Sequence, residues 1–151
     1  MRGTSSREDE GEALIDTDVF ISYIKGDEMI EHSAHVIDAI TSGRLEARIS
    51  SILFDDITTG VRSKGMEIRD VIKVILAIAS IKHVSLPITS AIAINALMIY
   101  EKHGGSRRLH YFDAFHVATA KINDLKMITS DRYILENQET LGIKAVDLKT
   151  L

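Results

Sequence analysis

The chain has 151 residues, 45% of them apolar, enough for one domain with a proper core. It contains no cysteine, which excludes a disulfide framework, a thiolate metal site and a thiol nucleophile. Its formal net charge of −4 argues against a duplex-binding module, which is usually basic, but leaves room for an enzyme that meets phosphates through a metal ion.

Residues 1–11 read as a flexible polar tail, ahead of a single domain over 12–151. The opening residues have no apolar core of the secretory kind, and the expected location is the cytoplasm. ALID, ending at Asp16, is a short apolar strand. A helix opens at Thr17 or Asp18, either of which can cap it, and runs to about Lys25. Val36, Ile37 and Ile40 set helical spacing over Glu31 to Ser42, stopped by Gly43. Glu46 to Ser50 is a second strand, and Ser51 to Ser63 a helix opening on serine. Met66 to Ser80 is another helix. Its run VIKVILAIASI, Val71 to Ile81, is apolar nearly all round, which implies burial on two sides or a dimer interface. That run contains a lysine and falls far short of the roughly 20 residues a membrane helix needs. HVSL is a third strand, stopped by Pro87. Thr89 to His103 is a long helix, and His110 to Asn123 another with small residues along one side. KMIT is a fourth strand, Asp131 to Gln138 a helical turn or two, and IKAVDL a fifth strand.

Strands alternating with helices imply an α/β fold: a central parallel sheet of about five strands with helices on both faces. Ligands of such sheets bind beyond the carboxyl ends of the strands. Asp16 ends the first strand and Asp131 follows the fourth, so distant sequence delivers two acids to one edge.

Two further acids point the same way. Successive helical residues lie about 100° apart, so only one of Asp55 and Asp56 faces inward. Asp55 shares a stripe with Ser51, Thr58, Thr59 and Arg62, a solvent face, whereas Asp56 borders Leu53 and Ile57. Asp113, in HYFDAFHVATA, lies on a small apolar stripe and is expected to be largely buried, which is costly for a carboxylate without a partner or a metal. No lysine or arginine is placed by sequence to neutralise all four. Converging carboxylates repel, and a divalent ion relieves the repulsion. Hard oxygen donors without cysteine point to Mg²⁺ or Mn²⁺, and the chemistry such an ion supplies is phosphodiester hydrolysis. Singly, each acid has a plainer reading: Asp18 and Asp131 as helix caps, Asp16 as an acceptor of backbone N–H bonds, Asp56 as a partly exposed helix acid. His116, one turn past Asp113, is expected to be simply packed, or else to touch the metal's outer shell. His103 and His110 lack the spacing of a known metal motif. Arg107 and Arg108 form a flexible basic loop ahead of Asp113 that can grip an RNA backbone.

In this order the residues resemble the PIN-domain family, and especially the VapC-type toxin ribonucleases, over Ala13 to Val146. LIDTDVFI is similar to the family's opening strand and first acid, Asp16. ISSILFDDITTGV is similar to its second motif through Ser50, Asp56 and Gly60, a spacing that also selects Asp56. YFDAFHVATA is similar to the third motif, placing an acid at Asp113, and MITSDRYI to the fourth, placing one at Asp131 with Thr129 and Ser130 as hydroxyl neighbours. The resemblance implies a Mg²⁺- or Mn²⁺-dependent endoribonuclease on a three-layer α/β/α sandwich, with the four aspartates catalytic and metal-holding and Thr17, Asp18, Thr129 and Ser130 in support. It also implies a homodimer and an antitoxin partner. Two positions depart from the pattern. Asp56 stands where glutamate is usual, shortening the reach by roughly 1.3 Å. Asp18 stands where asparagine or serine is common, adding negative charge near the site.

Two other readings compete. Asp16-Thr17-Asp18-Val19 also fits the opening of haloacid-dehalogenase-like phosphatases, with Asp16 as nucleophile, but the late paired aspartates of that family are absent and Asp113 gets no role. A catalytically weak domain that binds RNA or protein is the non-enzymatic alternative, motivated by Asp56 and the acidic balance.

Overall fold

The computed structural model describes residues 7–151. The elements run β1 (Gly11–Ile15), α1 (Thr17–Lys25), α2 (Ile30–Thr41), β2 (Leu45–Ser50), α3 (Leu53–Ser63), α4 (Ile68–Ala79), β3 (Val84–Leu86), α5 (Ser90–His103), α6 (Tyr111–Ile122), β4 (Lys126–Thr129), α7 (Arg132–Glu136), α8 (Gln138–Leu141) and β5 (Ala145–Asp147), closed by a 3-10 turn at Leu148–Thr150. The five strands form one sheet in the order β3-β2-β1-β4-β5, every pair parallel, as the alternating pattern requires. From β1 the chain winds outward through β2 to β3, and then through β4 to β5 on the other side. The order therefore reverses between β1 and β4, which opens a crevice at their carboxyl ends.

β1 is central, and its alternation separates two cores. Ala13 and Ile15 face a layer built by α1 to α4, with Phe20, Val36, Ile40, Leu53, Ile57 and Ile78. Leu14 faces the other layer, with Ile92 and Ala96 of α5, Val117 of α6 and Ile134 of α7. The small residues of α6 (Ala114, Ala118, Ala120) are fully buried and let this helix lie close on the sheet. The result is a three-layer α/β/α sandwich.

Three expectations change. Of the tail expected over 1–11, residues 1–6 lie outside the described residues; over 7–11 the chain is anchored at Asp9, while Arg7 and Gly11 are exposed. Asp9 is 3% exposed, bound by His35 (2.8 Å), Arg44 (3.4 Å) and Arg7 (3.5 Å), and Gly11 already opens β1. α4 is one-sided rather than buried on two sides: Val71 and Ile78 are buried, while Ile68, Ile72 and Leu76 are more than half exposed. α3 opens without a serine cap, because the Ser51 hydroxyl instead accepts from the backbone N–H of Ile88.

Candidate active site

The crevice is built from element ends. Asp16 is the last residue before α1 and caps it, its Oδ1 accepting from Thr17 N–H at 2.8 Å. Asp16 N–H is itself tied to the Ile128 carbonyl of β4 (3.0 Å), so the two central strands fix its position. Thr129, the last residue of β4, donates its hydroxyl to Asp16 Oδ2 at 2.7 Å and accepts Asp131 N–H at 3.0 Å. Asp131 caps α7, its Oδ1 accepting Ile134 N–H at 3.0 Å. Asp56 and Asp113 occupy the first turns of α3 and α6, where the helix dipole favours an acid. Asp55 is exposed, as helical geometry requires.

Asp18 is not the cap of α1. Its Oδ2 accepts from both the backbone N–H (2.8 Å) and the hydroxyl of Ser130, while its Oδ1 is buried with no partner. Of the four supporting residues read from the sequence, Thr17 and Thr129 reach Asp56 and Asp16 through their hydroxyls, while Ser130 is bonded to Asp18.

Asp56 is held differently. Its Oδ2 accepts from the Thr17 hydroxyl at 2.8 Å and lies 2.8 Å from His116 Nε2, and these two partners are 3.1 Å apart. His116 is fully buried, and its Nδ1 has no partner. Burial alone pulls the imidazole below its ordinary pKa; the hydrogen bond to Asp56 and the charges of Asp16, Asp56 and Asp113 outweigh that and raise it. His116 is therefore tied into the acid cluster through Asp56 rather than merely packed. The signal for it was its position one turn beyond Asp113, but its partner lies 60 residues away.

Electrostatics set the rest of the site apart. Burial, reinforced by the charge of Asp113, pushes the Asp16 carboxyl up to about 7. Burial also pushes Asp18 to about 7, with Asp16 and Asp131 adding to it against the Ser130 hydrogen bonds. Asp113 likewise rises to about 7 through burial and the charges of Asp131, Asp56 and Asp18, against the pull of His116. Among the described residues, no lysine or arginine pairs with Asp16, Asp18, Asp56, Asp113 or Asp131; only two histidines, His116 and His110, lie within ion-pair distance of them. One set of ligand atoms closes up: His110, Asp113 and Asp131 each bring a donor atom within 4.8 Å of the other two. Asp16 and Asp56 stand outside that group, Asp16 with both oxygens in hydrogen bonds and Asp56 with Oδ2 alone. The donor set, hard oxygens with an orphaned Asp18 Oδ1 and mutually repelling acids, fits a divalent cation.

Arg107 and Arg108 sit at the rim. Their loop is closed by a bridge between Gly104 and Leu109, so it is folded rather than loose. Arg108 donates to the Lys102 carbonyl (3.1 Å) and lies 5.9 Å over the Tyr133 ring; Arg107 is exposed, with φ of 61°. His103 is buried against the Tyr133 hydroxyl at 2.8 Å.

Among the described residues no helix is long and apolar enough to cross a membrane. No curated protein matches the chain in sequence. A family model described as PIN domain matches residues 13–139. Several solved structures share the fold. A VapBC2 chain from Rickettsia felis, crystallised with a promoter DNA fragment, superposes with a TM-score of 0.67 at 11% identity, over 91% of this chain and 98% of that one. A chain of DNA-bound VapBC from Salmonella typhimurium gives 0.65 at 21% identity, over 91% and 98%. A chain of FitAcB from Neisseria gonorrhoeae gives 0.64 at 19% identity, over 92% and 99%.

Proposed function

The chain belongs to the PIN-domain family, and from that premise we propose that it is a Mg²⁺- or Mn²⁺-dependent endoribonuclease of the cytoplasm, the toxin member of a toxin–antitoxin pair. The observation that carries this reading is the uncompensated charge at the strand ends. Three carboxyls are pushed to about 7 in a crevice where, among the described residues, no lysine or arginine pairs with them. Such an arrangement is unfavourable in the empty protein and becomes favourable around a doubly charged ion. A toxin–antitoxin complex from Klebsiella pneumoniae and a member of the VapBC family of toxin–antitoxin systems from Mycobacterium tuberculosis share the fold and support the biological setting.

In this reading Asp113 and Asp131 hold the cation, Asp16 stands beside them, and Asp56 completes the negative wall. A bound divalent ion supplies Lewis acidity toward a phosphodiester and a water of lowered pKa. The chain's own residues do the positioning. Thr129 orients Asp16 and Asp131 together through one hydroxyl, which donates to the first and accepts from the backbone of the second. Thr17 and His116 fix Asp56 by one oxygen, leaving the other free to face the crevice. Arg107 and Arg108 at the rim meet the RNA backbone.

The phosphatase alternative has no support at Asp16. A nucleophile needs an accessible oxygen, and Asp16 is 3% exposed with both oxygens hydrogen-bonded.

For the antitoxin, the fitting surface is an apolar groove of about 520 Å³ between α1, α3 and α4, lined by Ile21, Ile24, Ile57, Val61, Met66 and Val74, that ends on Thr17 and Asp56. A segment lying there reaches the site acids directly. For a second copy, α5 presents Ile94, Leu97 and Met98, each more than half exposed. Light scattering is expected to give twice the 16.8 kDa chain mass.

The deciding test is cleavage of a labelled RNA by the purified chain. Cleavage is expected with Mg²⁺ or Mn²⁺ and lost with a chelator, and Asp113→Asn should lower it by about 10²–10³-fold. Cleavage unchanged by Asp113→Asn refutes the nuclease assignment; no cleavage of any RNA with metal bound favours the binding-domain reading.

A further inference from the structure

We propose that His110 is an additional metal-holding residue of this site, contributing an imidazole nitrogen beside Asp113 and Asp131 and biasing the centre toward Mn²⁺ over Mg²⁺. The inference rests on the metal-dependent reading above and adds a donor of a different chemical type.

Geometry comes first. His110 Nδ1 lies 3.3 Å from Asp113 Oδ2, and the donor atoms of His110, Asp113 and Asp131 all lie within 4.8 Å of one another. Bonds of about 2.1–2.2 Å put neighbouring donors about 3.0 Å apart and opposite donors about 4.3 Å apart around one octahedral ion. The 3.3 Å pair has the spacing of neighbouring donors around one ion, and Asp131 lies near enough to join them with a small shift.

The backbone holds His110 in place. It occupies the N-cap position of α6, yet its side chain makes no capping hydrogen bond and so is not consumed by the helix. Its carbonyl accepts Ala114 N–H at 3.2 Å, which ties it to the turn carrying Asp113. The preceding Leu109 is fully buried, its N–H bonded to the His103 carbonyl at 3.2 Å and its strand bridged to Gly104. The imidazole therefore stands on a fixed root beside Asp113.

An ion pair with Asp113 is the plainer account, and it explains little. The His110 side chain is 75% exposed, and exposed pairs contribute little. A cation at a helix N-terminus also works against the helix dipole. A neutral imidazole beside two carboxylates is, by contrast, a good donor set for a transition metal. Magnesium is held by oxygen and water and gains little from nitrogen, so the third donor discriminates between the two ions. The site's other imidazole, His116, is fully buried, and its Nε2 faces Asp56 and Thr17.

The test is pulsed EPR on the full chain loaded with Mn²⁺, read together with Mn²⁺ and Mg²⁺ binding isotherms. The wild type should show ¹⁴N coupling of a bound imidazole. His110→Ala and His110→Gln should both lose that coupling, weaken Mn²⁺ binding by about tenfold and change Mg²⁺ binding by about twofold or less. Mn²⁺ bound without ¹⁴N coupling, or coupling that survives in both variants, overturns the role of His110 and leaves the metal-dependent reading standing. Failure of the wild type to bind Mn²⁺ at millimolar concentration overturns both.

Discussion

Asp9 and Asp16 are buried to the same degree, each 3% exposed, at opposite ends of the same strand layer, and their environments are opposites. Asp9 gathers cations. A hydrogen bond with His35, helped by the charges of Arg7 and Arg44, holds its carboxyl below the ordinary value in spite of burial. Asp16 gathers one hydroxyl, a backbone N–H and other acids, and burial plus the charge of Asp113 pushes it up to about 7. Burial alone therefore does not mark a functional acid. What marks it is burial that the fold leaves uncompensated. The Asp9 end is a satisfied clasp joining the chain's start to α2 and β2; the Asp16 end is held in an unfavourable state that a ligand can relieve.

The contrast breaks most sharply under substitution. Asp113→Asn should abolish metal-dependent RNA cleavage, about 10²–10³-fold, and yet raise the melting temperature of the metal-free protein at pH 8, because it removes a repelling charge. Asp9→Asn should do the reverse. It should cost about 1–3 kcal/mol, or about 3–10 °C in Tm, with cleavage by the folded fraction intact. Thermal melts and a cleavage assay on the two variants read both effects; a metal-free Tm lowered by Asp113→Asn would show that this carboxyl is structurally satisfied.

Metal addition separates the two ends next. Mn²⁺ at about 100 times its dissociation constant should stabilise the wild type at pH 8 by about 2.7 kcal/mol and the Asp113→Asn variant far less, with Asp9→Asn responding like the wild type.

The pH dependence follows from the direction of the shifts. Asp16, Asp18 and Asp113 are raised in the folded state, to about 7 each, so the folded protein binds protons that the unfolded chain has released. Their contribution is complete below about pH 4 and is lost as pH rises through 7. His116, also raised, adds a loss in the same direction above its ordinary range. Metal-free protein should thus melt at least a few degrees lower at pH 8 than at pH 5, and saturating Mn²⁺ should shrink that difference. The Asp9 clasp acts oppositely, lost only as pH falls below the usual carboxylate range. A flat metal-free profile from pH 5 to 8 contradicts the raised carboxyls.

The smallest effect belongs to the rim. Arg107→Ala/Arg108→Ala should lower the salt slope of RNA binding by about 1.4, about 0.7 for each lost single-strand phosphate contact. An unchanged slope removes these arginines from the RNA path.

Much of this was legible in the sequence where chemistry follows local periodicity. The alternation of strands and helices yields the parallel sheet, and the 100° step along α3 separates inward Asp56 from exposed Asp55. The strand-end positions of Asp16 and Asp131 follow from topology alone. What stayed hidden depends on distant partners. Asp18 reads as a helix cap until Ser130, 112 residues on, takes its oxygen, and the cap turns out to be Asp16. His116 reads as packing until α3 brings Asp56 against it. The apolar run of α4 reads as doubly buried or as a dimer interface because periodicity cannot say which side meets the core; within the chain only its Val71 and Ile78 are buried. Asp9 reads as tail because Arg44 and His35 reach it only through the fold.

The most direct measurement is anomalous diffraction from a crystal soaked in Mn²⁺. The account predicts a Mn²⁺ peak in the crevice beyond β1 and β4, in contact with Asp113 and Asp131. No peak there at saturating Mn²⁺, or carboxyl groups each paired with a lysine or arginine, would contradict it.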